Sequence, residues 1–98
     1  MNETEFHALA DATLTTLCDI LEEADAEGLL DVECTGGILT IVRPDKKQWI
    51  VSKHAPSRQL WLASPISGGL HFSHDGEWKL PDGRELRSLL SQELGVVL

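Results

Sequence analysis

The chain has 98 residues, 42% of them hydrophobic, and carries 16 acidic against 8 basic side chains for a net charge of −8. That length admits one domain with a single core and no buried cofactor beside it. No apolar run approaches the roughly 18 residues of a membrane-spanning helix, and a surface this negative repels nucleic acid.

The first element expected is a long amphipathic helix over residues 3–26. Phe6, Leu9, Ala10, Thr13, Leu17, Leu21 and Ala24 recur at steps of three and four, and neither Gly nor Pro interrupts them. Asp19, Glu22 and Glu23 fall on the opposite side. Acids at that end oppose the negative pole of the helix dipole, a pattern that helix stability alone would not select. After Gly28 the period changes to two. Asp31-Val32-Glu33-Cys34 alternates outside and inside, and Gly36-Gly37 turns the chain into a strand over Ile38–Val42. Pro44-Asp45-Lys46-Lys47 turns it again into Gln48–His54, Pro56 ends that strand, and Gln59–Ala63 forms the next. A loop at residues 64–69 precedes a short strand around Leu70–Ser73, and Asp75-Gly76 turns into Glu77–Leu80. Asp82-Gly83-Arg84-Glu85 reads as a capping box with Asp82 as N-cap, opening a helix whose stripe is Leu86, Leu89, Leu90 and Leu94 and whose stop is Gly95. Turns this short force antiparallel neighbours. The expected fold is therefore α+β: a two-layer sandwich with one antiparallel sheet of about six strands and both helices on one face.

Charge is distributed unevenly along this plan. Residues 1–42 hold ten carboxylates (Glu3, Glu5, Asp11, Asp19, Glu22, Glu23, Asp25, Glu27, Asp31 and Glu33) and no Lys or Arg, whereas residues 43–98 hold six acids and all eight bases. An acidic ridge on the end of the first helix and along the first strand follows, unless the carboxylates serve only as a solvated face. Carboxylate oxygens suit hard or borderline cations. Ligands exposed on a rigid ridge cannot close around an ion, so binding is expected to be weak, multi-site and exchangeable. The same ridge would steer a partner rich in Arg or Lys, and salt would weaken that association.

In Gln59-Leu60-Trp61-Leu62-Ala63 the alternation gives the two Leu to the core and Gln59 and Trp61 to the other face. Trp61 is then either an interface anchor on an open sheet or a structural residue that caps the sheet edge or packs under the Pro65 loop. Trp49 and Trp78 read as core. His7, within a turn of Glu3 and Asp11, is either a surface residue or a ligand at that end of the ridge. His54, His71 and His74 share no ligand spacing. Cys18 and Cys34 match no zinc or redox motif and read as two buried free thiols. No nucleophile elbow, phosphate loop or zinc-protease motif is present, so a non-enzymatic protein is expected. The opening 15 residues, acidic and free of Lys and Arg, fit neither a secretory signal nor an Arg-rich transit peptide. A cytoplasmic protein is expected, or a mature organellar one whose leader was omitted.

The block from Trp49 to Gly69 resembles the frataxin family: an aromatic-led strand, a turn ending in Pro56, the Gln59-Leu60-Trp61-Leu62 strand, and a Gly-containing loop at Ser64–Gly69. Glu5-Phe6-His7 with Leu9-Ala10-Asp11, and Gly36-Gly37 followed by Leu39-Thr40-Ile41, resemble bacterial members. Ser57-Arg58 and Ser64-Pro65 look more like the eukaryotic branch. The resemblance implies a helix–sheet–helix sandwich that binds ferrous and ferric iron weakly and contacts the cysteine desulfurase and iron–sulfur scaffold complex. It places metal ligands at Asp11, Asp19, Glu22, Glu23, Asp25, Asp31 and Glu33, to which the charge pattern adds Glu27. Partner contacts are expected from Glu22, Glu23, Arg58, Gln59 and Trp61. Cys18 stands where such proteins often carry a carboxylate, Leu29 lies in a commonly acidic region, and His54 replaces a usual Gln, so fewer iron ligands are implied. A monomer is expected, with metal-dependent oligomers as a further state. Two rival readings are a purely protein-binding module with incidental cation affinity and a weak ferroxidase or iron-storage protein. The absence of Glu-x-x-His pairs on facing helices argues against the latter.

Overall fold

A computed structural model describes residues 1–98. Helix α1 runs from Glu3 to Ala24. The Asn2 side chain caps it by accepting the Glu5 amide at 2.8 Å. Phe6, Ala10, Leu14, Leu17 and Leu21 form its buried stripe. Leu14 belongs to that stripe, while Leu9, Thr13 and Ala24 lie at its half-buried margins. The helix stops two residues short of the expected end. Asp25 leaves helical geometry, and its carboxylate accepts the Leu29 and Leu30 amides, both at 2.9 Å. This carboxylate turns the chain from helix to sheet, as Asx side chains do.

Six strands follow: β1 (Asp31–Thr35), β2 (Ile38–Val42), β3 (Gln48–His54), β4 (Gln59–Ser64), β5 (Gly68–Asp75) and β6 (Glu77–Lys79). They pair antiparallel in chain order, so β1 and β6 are the edges. Gly36 and Gly37 both take positive φ in the β1–β2 turn, the conformation that two-residue hairpins require. A turn of 3-10 helix at Ala55–Ser57, with Pro56 inside it, separates β3 from β4. β5 is longer than its apolar residues alone indicate. The Ser64 hydroxyl accepts the Ile66 and Ser67 amides at 3.0 and 2.9 Å, which tightens the β4–β5 loop and lets Gly68 pair with Ser64. Helix α2 spans Leu86–Leu94 and ends at Gly95 in the left-handed region. Its N-cap is Glu85, not Asp82. Asp82 instead accepts the Arg84 amide and Nε, at 3.0 and 2.8 Å, so it closes a turn that precedes the helix.

The register places Leu39 and Ile41 of β2, Trp49 and Val51 of β3, Leu60 and Leu62 of β4, Phe72 of β5 and Trp78 of β6 in one core with the apolar stripes of α1 and α2. Burying a Leu, Val or Phe side chain contributes roughly 1.5–3 kcal/mol, so this single cluster dominates the stability of the sandwich. Trp49 and Trp78 are in the core as expected, with both indole N–H groups satisfied. Trp78 donates to Thr13 Oγ1 at 3.0 Å and Trp49 to Glu93 Oε1 at 2.9 Å. The thiols depart from expectation. Both are free, but Cys18 is half-buried and Cys34 exposed. Cys34 does face α1, and its Sγ lies 3.5 Å from the Leu14 carbonyl. An edge strand has no neighbour beyond it to close the space, so facing inward does not bury the thiol.

Candidate functional site

The acidic residues gather along one edge of the molecule, in two layers. Asp19, Glu22 and Glu23 project from the solvent side of α1, Glu27 lies in the connection, and Asp31 and Glu33 lie on β1; all six are exposed. Alternation along β1 turns Asp31 and Glu33 away from Cys34, towards the open face of the sheet. The ion pairs of the molecule are Glu3–His7, Asp45–Arg43, Asp11–Lys53 and Asp82–Arg84. None involves these six carboxylates, and the last turn of α1 contains no basic residue.

Two of the eight expected metal ligands are already engaged within the fold. Asp25 holds two backbone amides. Asp11 pairs with Lys53, whose Nζ lies 2.7 Å from Oδ1. Lys53 shares the inward side of β3 with Trp49 and Val51, and so reaches up to α1. Its ammonium also contacts His7 Nδ1 at 3.3 Å, while His7 Nε2 lies 3.6 Å from Glu3. A built-in cation thus occupies the N-terminal end of the ridge, beside the expected ligand Asp11 and beside His7, which the sequence leaves as either a surface residue or a ligand. Gly37 leaves room for this arrangement, since a Cβ there would collide with Cε of Lys53.

The six remaining carboxylates form an open surface. No three His, Cys, Asp or Glu side chains converge to enclose an ion. Glu22 Oε1 has a long contact from the Cys18 thiol, at 3.9 Å. Such an array offers hard oxygen donors one or two at a time, with water completing the shell of any bound cation.

On the open face, Trp61 is half-buried and stacked between two histidines. The His54 ring lies 3.6 Å from it at 13°, and the His71 ring 4.1 Å at 12°. Gln59 Oε1 accepts the indole N–H at 3.1 Å, and Gln59 Nε2 donates to Ser73 at 3.1 Å. Trp61 thus lies on the open face beside Gln59, the side to which the alternation of β4 assigns it. The bracing histidines come from β3 and β5, so sequence alternation within β4 gave no sign of them. Arg58 belongs less clearly to this surface. It holds a left-handed backbone (φ 55) and folds its guanidinium back onto the Ala55 carbonyl.

Glu93 of α2 had not been singled out. Its carboxylate accepts Trp49 Nε1 at 2.9 Å, Ser64 Oγ at 2.6 Å and Ser67 Oγ. Burial alone would raise its pKa, but the donors from Ser64, Ser67 and Trp49 outweigh burial and hold the carboxyl below the usual glutamate range. In contrast, Glu85 is raised by a hydrogen bond shared with Glu77. That pair borders a groove of about 340 Å³ between the helices, away from the ridge.

A helix, six-stranded antiparallel meander and helix, with an unpaired acidic edge beside an open face centred on Trp61, define a small acidic α+β sandwich built to present surfaces. The frataxin-like domain family matches this sequence over residues 1–98, and the chain belongs to the frataxin family. It is 45% identical over 95 residues to the iron-sulfur cluster assembly protein CyaY of Vibrio cholerae, covering 95% of this chain and 88% of that protein. Its fold matches frataxin from Psychromonas ingrahamii with a TM-score of 0.85 at 28% identity, over 96% of this chain and 89% of the other. It also matches trimeric frataxin of Saccharomyces cerevisiae, complexed with ferrous iron, with a TM-score of 0.76 at 36% identity, over 88% and 81%.

Proposed function

We propose that this protein binds iron as a weakly held, exchangeable cargo on its acidic edge and serves iron–sulfur cluster assembly by docking on a cysteine desulfurase and scaffold complex. The observation that carries the reading is the set of exposed carboxylates without ion pairs at Asp19, Glu22, Glu23, Glu27, Asp31 and Glu33. Unneutralised carboxylates draw ferrous or ferric ions by Coulomb attraction and supply the hard oxygen donors such ions accept. Because the array is open, exchange is fast and affinity low, as suits donation or sensing rather than catalysis at a resident metal. The kinship with an iron–sulfur cluster assembly protein and with a frataxin complexed with ferrous iron supports the same cargo.

The edge also steers a basic partner, and Trp61 with Gln59 supplies the specific contact. Trp61 is braced on both faces by histidine rings, so docking orders little that is not already ordered. The reading includes a non-enzymatic protein in the cytoplasm, a monomer that assembles further when metal bridges open carboxylates of different copies. A second reading, a protein-binding module with incidental cation affinity, draws on the lack of any convergent ligand triad. Saturable ferrous binding at physiological salt would count against it.

The test is a pair of variants titrated with ferrous iron under nitrogen and with the desulfurase complex. Glu22→Lys plus Glu23→Lys should weaken both titrations. Trp61→Ala should leave iron binding intact and weaken the complex by roughly tenfold or more, the loss expected of a buried anchor. Unchanged titrations of the double variant would contradict a shared acidic site.

A further inference from the structure

We propose that Cys18 and Cys34 form a reversible dithiol–disulfide pair, a redox modification site whose oxidation covalently closes the acidic edge. The two thiols come from layers that face each other, Cys18 on α1 and Cys34 on β1. Cys34 pairs with Leu39, a buried core residue, and therefore faces α1. Its Sγ rests 3.5 Å from the Leu14 carbonyl. Cys18 lies one turn beyond Leu14, and helical side chains lean back over the preceding turn, which brings its sulfur onto Cys34. The Cys34 thiol is close enough to help hold the Cys18 thiol above its ordinary value. Both are free, one half-buried and one exposed, so a small oxidant reaches the pair without unfolding.

The segment between them gives the bond its consequence. Residues 19–33 contain Asp19, Glu22, Glu23, Asp25, Glu27, Asp31 and Glu33, all of the expected metal ligands except Asp11. A Cys18–Cys34 bond makes this stretch a closed ring and ties the edge strand to the helix that carries the other half of the carboxylates.

The two sulfurs have different roles. Cys18 is half-buried and Cys34 exposed, so Cys34 is the sulfur that meets the oxidant and Cys18 the one that resolves it. With hydrogen peroxide, the Cys34 thiolate attacks one oxygen; an S–O bond forms, the O–O bond breaks, and hydroxide leaves to become water. The Cys18 sulfur then attacks the sulfenic sulfur. The S–S bond forms, the S–O bond breaks, and the displaced hydroxide takes the Cys18 proton as a second water. The two thiols lose two electrons and two protons, and peroxide is reduced to two waters. A thiol reductant reverses the bond by exchange.

The experiment treats the reduced full chain with peroxide and follows intact mass, thiol alkylation and melting. The expected result is loss of two hydrogens, protection of both cysteines from alkylation, a Cys18–Cys34 cross-linked peptide, reversal by dithiothreitol, and a melting temperature raised by roughly 10 °C for a ring of this size. Neither Cys18→Ser nor Cys34→Ser should show the mass loss or the rise. Independent oxygen addition to each sulfur, or disulfide-linked dimers alone, would overturn the pair. The effect on the edge rests on the cation-binding reading, and a separate arm tests it by titrating ferrous iron into both forms under nitrogen. The closed ring should shift the affinity roughly two- to threefold through preorganisation. Equal affinities would overturn the gating while leaving the disulfide, and no ferrous binding by either form would overturn the cation reading instead.

Discussion

Glu93 and Glu22 show what a carboxylate does in two settings of one small fold. Glu93 accepts hydrogen bonds from Trp49, Ser64 and Ser67 and so fastens α2 to β3 and to the β4–β5 loop. Glu22 has only a long contact from a thiol, no ion pair, and exposed acids at Asp19 and Glu23 beside it. The first carboxylate is satisfied by the fold. The second is left with its charge facing solvent, among like charges that raise the free energy of the native state slightly until a cation or a basic surface arrives. Stability and recognition are thus assigned to different carboxylates, and the two groups should respond oppositely when altered.

The largest expected effect is on the satisfied side. Glu93→Ala strands three donors at a half-buried position and should cost about 2–3 kcal/mol in urea unfolding, while ferrous titration stays as in the parent. A loss of iron binding equal to the loss of stability would erase the distinction. The pH dependence sharpens it. Because the folded carboxyl is held below the ordinary value of 4.5, its contribution is complete above that value and fades as pH falls through the lower folded-state value. The stability gap between the parent and Glu93→Gln should therefore narrow as the solution is acidified below 4.5; a gap that widened would contradict the assigned direction.

A smaller effect is expected at the boundary between the two groups, where Lys53 neutralises Asp11. Lys53→Gln returns Asp11 to the unpaired set and should tighten ferrous binding about twofold at low salt, with the gain screened away as salt rises. A weaker affinity would mean that Lys53 helps to hold the ligands in place. Part-exposed ion pairs contribute little to stability, so unfolding of this variant should move by less than about 1 kcal/mol.

Much of this organisation can be read from local patterns. The stripes of α1 and α2, the strand alternation and the Gly36-Gly37 turn are repeated signals within a few residues, and each maps onto an observed element. The acidic edge is legible for the same reason, being a run without compensating charge. Contacts that close across the chain are not. Lys53 meets Asp11 and His7 because antiparallel pairing sets its side of β3 under α1, and no local spacing records that. The Glu93 hub and the His54–Trp61–His71 stack share this origin. The misplaced N-cap arises from a competition between near-equal local options. Asp82 has the Arg84 amide within reach outside a helix, and the turn prevails over the cap; at the end of α1 the Asp25 carboxylate takes the Leu29 and Leu30 amides and stops the helix early.

The central claim is that cations reach the edge carboxylates the fold leaves unpaired, and no others. Amide resonances followed during a ferrous titration under nitrogen test it most directly. The account predicts broadening confined to residues 19–33, while the Ser64–Ser67 loop and the residues around Glu93 are unaffected. Resonances of 19–33 that stay sharp at saturating iron, or broadening centred on Glu93, would contradict it.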